Sequence, residues 1–205
     1  MNLAKVLPMT FVMIAGPQIL SAIFLVTSES WRRNSVAYIS GAALSITAFV
    51  SASYFFINGL KDEGASDEAV YAVILVLLVL AAIHTYVKRA ESQPPKWMGK
   101  LQDADAKFSF RLGVLLLGVF PTDILTSIAV GQSLANDGSP WWHCLVFVGL
   151  TVLLLALPLL GLVAFGERAQ AAMPKARDWM NNNSWVVSEI VIGLFIALTL
   201  SDLIG

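Results

Sequence analysis

Apolar residues gather into six stretches of about 20, at residues 6–27, 36–59, 69–87, 112–134, 143–166 and 185–204. That length carries a helix across a hydrocarbon core of about 30 Å. Polar and charged residues fall between the stretches, and no ten-residue alternation runs through them, which argues against a β-barrel. The pattern predicts an all-α membrane protein with six transmembrane helices. The whole-chain composition agrees: of 205 residues, 57% are hydrophobic and 13% charged, with a mean hydropathy of +0.74, far from a soluble domain.

Charge then sets the expected orientation, because Lys and Arg near a helix end resist translocation. Eleven of the thirteen cations lie in the connections after spans one, three and five: Arg32, Arg33, Lys88, Arg89, Lys96, Lys100, Lys107, Arg111, Arg168, Lys175 and Arg177. Only Lys5 and Lys61 lie on the other side. Those three connections are therefore expected in the cytoplasm, with both termini outside and the chain a multi-pass protein of the cytoplasmic membrane. Tryptophan prefers the headgroup level. Trp31, Trp97, Trp179 and Trp185 fall at the inner ends of spans, and Trp141 and Trp142 at an outer one. The apolar run that follows Lys5 continues to Val26 with no A-x-A-like site, so it reads as a retained helix and not as a cleaved signal.

The long connection at residues 88–111 has a periodicity of its own once Pro94 and Pro95 have ended the preceding helix. Trp97, Leu101, Ala104 and Phe108 share one face, and Lys96, Lys100, Asp103, Lys107 and Arg111 another. A short amphipathic helix in the headgroup layer is expected there, serving as a linker or as a seat for anionic lipid headgroups. Cys144 is the single cysteine, so an intrachain disulfide and a cysteine metal cluster are excluded. No metal or other cofactor is expected. Motifs for lipid-directed catalysis are also missing, with no H-E-x-x-H, no G-x-S-x-G and no phosphate-cradling glycine loop, so an enzyme is not expected. The basic residues follow topology and leave no nucleic-acid patch.

Inside this apolar pattern two segments resemble each other. "AGPQILSAI" in span one and "VFPTDILTSI" in span four each carry a proline, a polar residue or two, Ile-Leu, a hydroxyl, a small residue and Ile. "GAALSITA" from Gly41 and "GLTVLLLA" from Gly149 pair in the same order. Together they suggest two copies of a three-span unit: residues 1–90 and 112–205, joined by the linker 91–111. A unit with an odd number of spans crosses the membrane in opposite senses in its two copies, so the repeats are expected to be inverted.

Pro17 and Pro121 then fall at matching depths. Each removes a backbone donor and exposes carbonyls that lipid cannot satisfy, so both breaks are expected to face protein or water. Gln18, Ser21, Thr122, Asp123 and Thr126 cluster around them, as a polar substrate-binding or coupling site between two broken helices would require. Asp123 is the most pointed of these, because an ionised Asp at mid-span costs about 2.5–3.5 kcal/mol. It is a candidate to bind a proton or a cation during a transport cycle. Glu189, one turn inside span six, is a weaker member of the set, and His84 reads as an interfacial histidine.

The segments "PQILSAIFLVTSESWRRNSVAYISG" and "PPKWMGKLQDADAKFSFRLGVLLLGVFP" resemble the GAP or sulfolipid-addressing (Sap) proteins of the LysE superfamily of small exporters. The shared features are a span-one proline, a basic turn, a span-two glycine, a proline and tryptophan opening the linker, and a glycine-rich approach to the span-four proline. The resemblance implies an inverted-repeat transporter that moves glycolipid or related envelope lipid, with membrane lipids and lipid-linked or small-molecule cargo as partners and a homo-oligomer as a common assembly. Export of amino acids or other small solutes, and a non-transporting scaffold of an envelope-lipid export complex, stand as alternatives. Where many such exporters have a segment similar to Asn-Pro-Lys, this chain has Phe120, Pro121 and Thr122, then Asp123. An anion thus stands near the place of a cation.

Overall fold

The computed structural model describes residues 3–62, 101 and 103–182, and all regular structure among them is helical. Spans three and six, Glu189, His84 and most of the linker lie outside the described residues. The described chain forms α1 (Leu3–Ile14), α2 (Pro17–Leu25), α3 (Trp31–Asp62), α4 (Ala106–Val119), α5 (Pro121–Asn136), a 3-10 turn (Trp141–His143), α6 (Cys144–Phe165) and α7 (Glu167–Asn182).

Two of these, Trp31–Leu60 and Trp141–Phe165, are long and apolar enough to cross a membrane unaided. Two bent pairs, α1 with α2 and α4 with α5, become spans if each pair is taken as one crossing, and both are bent by 66°. The expected spans one, two, four and five thus correspond to helical segments, with one and four each broken at its proline.

The two breaks reach the same bend by different local chemistry. Before Pro17 stands Gly16 at φ 98, ψ −134, a conformation open to glycine and strained for residues with a Cβ. Before Pro121 stands Phe120 at φ −65, ψ 129, the extended geometry that a following proline imposes by crowding out the helical region. In each case proline is the first residue of the second helix, where its missing N–H costs nothing. The Phe120 carbonyl accepts from the Asp123 and Ile124 amides, both at 3.0 Å, and so restarts the ladder at once.

The helix α3 is the hub, packing on α4, α5 and α6, while α1 and α2 lean on α6. The core is apolar, built from Met13, Leu25, Tyr38, Ile46, Leu117, Leu134 and Phe147 among others. The crossing of α3 and α4 is close because Gly41 and Gly113 are set against backbone. A Cβ on Gly41 would overlap the Phe110 carbonyl, and one on Gly113 the Tyr38 carbonyl. Further along α3, Gly131 of α5 approaches the Val50 carbonyl in the same way, its Cβ position 2.9 Å from that oxygen. Small residues at such contacts let membrane helices gain dispersion energy where the hydrophobic effect offers none. Large apolar side chains point outward instead, Leu44, Phe55, Leu115, Val119, Leu157 and Val163 among them. Acyl chains suit that surface, and a soluble domain rarely shows so much of it.

The linker departs from expectation at its described end. Residues 103–105 are turn and extended chain, and a helix starts only at Ala106 and runs unbroken to Val119. Phe108 and Arg111 therefore belong to the span-four helix and not to a separate surface helix. The cause is a cap: the Asp105 carboxylate accepts from the Phe108 amide at 2.7 Å, closing an orphan donor of the first turn. Leu101 is fully buried against the core. Asn34 fastens the segment by donating to the Ala104 carbonyl at 2.7 Å and to the Ser28 hydroxyl at 3.0 Å. Replacing Asp105 with Ala is expected to cost about 0.5–2 kcal/mol, the usual range for a lost N-cap. A thermal-unfolding curve of the purified variant in detergent, shifted down with unchanged oligomeric state, checks this.

Candidate functional site

Both prolines place the first turn of a new helix in the interior. Gln18 follows Pro17 in α2 and is 1% exposed; Asp123 lies two residues after Pro121 in α5 and is 0% exposed. The two side chains meet. Gln18 Nε2 donates to Asp123 Oδ2 at 2.7 Å across 105 positions of sequence, a hydrogen bond of the short, charge-assisted kind when the acid is ionised. Asp123 stands in the first turn of its helix, where the macrodipole favours a negative charge.

The surroundings repeat on the two sides. In α2 the Ser21 hydroxyl donates back to the Pro17 carbonyl at 2.6 Å; in α5 Thr126 donates back to the Thr122 carbonyl at 2.7 Å. Such four-residue back-bonds satisfy hydroxyls that lie in an apolar medium. Ser21 is fully buried and Thr126 nearly so. Thr122 is exposed, with its hydroxyl 3.4 Å from Asp123 Oδ1, a weak contact. Pro17 is half-buried. Of the residues singled out in the sequence, Gln18 and Asp123 are in direct contact, Ser21 and Thr126 sit one turn further along their own helices, and Thr122 turns outward. Glu189 is outside the described residues.

Two participants had not been singled out. Tyr38, fully buried on α3, donates its hydroxyl to the Gln18 carbonyl at 2.8 Å, clamping the start of α2 to the hub helix. Its signal was faint: it lies three residues before Gly41, on the face that meets α4. Ser127, one turn after Asp123, is buried with no hydrogen-bond partner among the described residues. Gln18 Oε1 is likewise buried and unpartnered, beside the space left by Gly16, whose Cβ position is 3.5 Å away. A buried acceptor and a buried hydroxyl without partners are rare enough to need a reason. Among the described residues no three His, Cys, Asp or Glu side chains gather as a metal site.

An apolar groove of about 380 Å³ lies between α3 and α5, lined by Phe49, Ala52, Ser53, Phe56, Ile57, Ile124 and Ile128. Ile124 follows Asp123 directly, so groove and acid share the first turns of α5.

These features define a helical membrane protein whose two proline-broken helices meet through a buried acid–amide pair. A family model described as Sap, sulfolipid-1-addressing protein, matches residues 6–204, and the chain belongs to that family. No curated protein and no solved structure matches it.

Proposed function

We propose that this Sap-family protein moves a lipid, or a lipid-linked molecule, across the cytoplasmic membrane. The hydrogen bond from Gln18 to Asp123 would be the polar contact that cargo or a coupling proton displaces. The observation that carries the reading is this bond itself, joining the two helix breaks at buried positions. In a transporter built of inverted repeats, interrupted helices meet near the bilayer midplane and their irregular backbone borders the binding site. The equal 66° bends support that plan, with residues 1–90 and 112–205 as the two halves and six spans in all. Gln18 Oε1 and Ser127 Oγ, without partners among the described residues, suit a cargo that brings its own donors, such as sugar hydroxyls. The groove at Ile124 and Ile128 offers an apolar seat on the same helix as Asp123 and Ser127. The family's description points to lipid addressing, and membership in the LysE superfamily would place the chain among small exporters.

The test is reconstitution in liposomes with a fluorescent sulfated glycolipid, using a labelled phospholipid for comparison. The reading expects the protein alone to move the glycolipid faster than protein-free vesicles do. Movement only after a second protein is added would favour a scaffold of a lipid-export complex, and movement of neither lipid by any addition would remove the transport reading. In the same assay Pro17→Ala and Pro121→Ala are each expected to reduce turnover several-fold more than they reduce the yield of folded protein, because a straightened helix closes the space between the breaks. Equal losses of yield and turnover would instead assign the prolines to packing.

A further inference from the structure

The chain turns sharply after α6. Gly166, at φ 54, ends that helix with its amide bonded to the Leu162 carbonyl at 2.9 Å, and α7 begins at the next residue. Along α7, Ala169, Ala172 and Met173 recur at helical spacing and form its apolar face. Ala169 packs with Leu162 and with Val26 at the end of α2, and Trp31, Leu159 and Met173 close around them. This holds α7 against the ends of α2, α3 and α6 and leaves an open groove of about 370 Å³ in the elbow. Its lining is Gly161, Phe165, Ala169, Ala172 and Met173, with the exposed Arg168 beside them.

Hydrocarbon walls with one cation match an amphiphile of opposite charge. The same end of the bundle carries Arg32, stacked over Trp31 at 4.8 Å, and Arg33. All three arginines stand in the first turn of their helices, where the macrodipole disfavours a cation, so helix stability does not explain them. Topology asks only that cations lie on this side of the membrane; it does not ask that one border an apolar groove. Arg168 presents a forked donor suited to phosphate oxygens. Trp179 is 53% exposed further along α7, as for a helix lying among headgroups.

We propose that the elbow between α6 and α7 binds an anionic phospholipid from the surrounding membrane, one acyl chain in the groove and the headgroup phosphate on Arg168. The site is separate from the Gln18–Asp123 pair and stands whether or not that pair transports anything.

Native mass spectrometry of the full-length protein, released from micelles containing equal phosphatidylglycerol and phosphatidylcholine, tests it. Wild type is expected to retain phosphatidylglycerol preferentially. Arg168→Gln should lower that retention about fivefold, the factor equal to roughly 1 kcal/mol for one surface cation, whereas Lys175→Gln should leave it unchanged. Gly161→Leu, which fills the groove, should lose both lipids. Unchanged retention in Arg168→Gln, or equal losses in Arg168→Gln and Lys175→Gln, would overturn the proposal. So would a dimer that Gly161→Leu converts to monomer, since a second copy would then be what covers the groove. Circular dichroism of each variant shows that it is folded, and if Gly161→Leu fails to fold, the two charge variants still decide.

Discussion

Asp123→Asn is expected to fold and insert normally yet lose lipid movement by tenfold or more, together with any dependence of the rate on pH. The side chains are nearly isosteric, and the Asn carbonyl still accepts from Gln18 Nε2, so the contact between the breaks persists. What disappears is a group able to ionise and reprotonate. Stability should hold or rise, because an ionised Asp in an apolar span is itself a cost of about 2.5–3.5 kcal/mol.

Leucine at the same positions separates folding from function. Asp123→Leu strands the Gln18 amide, and Gln18→Leu strands the acid, each at a cost of about 1–3 kcal/mol for an unsatisfied buried group. The double variant removes both partners and should be more stable than the sum of the single losses predicts, the non-additivity expected of residues in contact. It should nonetheless remain inactive. Wild-type rates in Asp123→Asn across a broad pH range would take the acid out of the mechanism, whatever its part in folding.

Gly113→Val is expected to abolish the folded protein, the largest stability effect among these substitutions. Its Cβ would overlap the Tyr38 carbonyl and come within 2.9 Å of the Ala42 amide nitrogen. Both obstacles are backbone, so no side chain can swing away and α3 must separate from α4. Overpacking of even a yielding core costs about 1–3 kcal/mol, and this contact cannot yield locally. Separation would also draw Tyr38 from the Gln18 carbonyl and so loosen the first break. A graded series checks the cause. Gly118→Ala meets only the Ser45 hydroxyl and the edge of Phe49, both side-chain atoms, and should be milder. Gly149→Ala meets nothing within 4 Å and should be neutral or stabilising. Size-exclusion profiles of detergent extracts, ranking yield in the order Gly149→Ala, Gly118→Ala, Gly113→Val, would support the account; equal yields would refute it.

Much of the described fold was legible in run length. The apolar stretches 36–59 and 143–166 lie almost wholly within α3 and α6, because a bilayer forces a continuous backbone ladder on any apolar run of that size. The ends were less legible. The helix α3 starts five residues before its apolar stretch, at Trp31, and α4 starts six before its own, at Ala106, since hydrogen bonding continues through polar residues that hydropathy assigns to a loop. The prolines announced the breaks but not their geometry, which before Pro17 rests on a positive φ at Gly16. Gln18 and Asp123 could be singled out separately, each as a polar group at an apolar depth. Their contact could not, because one sequence does not say which helix faces meet. The helix α7 was not legible in hydropathy because it lies in the charged connection after span five and its apolar stripe consists mostly of alanines.

Cysteine accessibility around the pair tests the central claim most directly. In a Cys144→Ser background, single cysteines at Ser21, Thr126 and Ser127 are probed in intact vesicles with a membrane-impermeant thiol reagent, and Leu115 and Leu157 serve as outward-facing controls. A site that opens between the breaks during transport predicts that the first three, buried in this structure, become labelled, that cargo lipid slows their labelling, and that the controls stay unlabelled. If Ser21, Thr126 and Ser127 are as inert as Leu115 and Leu157 from both sides of the membrane, with and without cargo, the breaks enclose dry packing and the transport account fails.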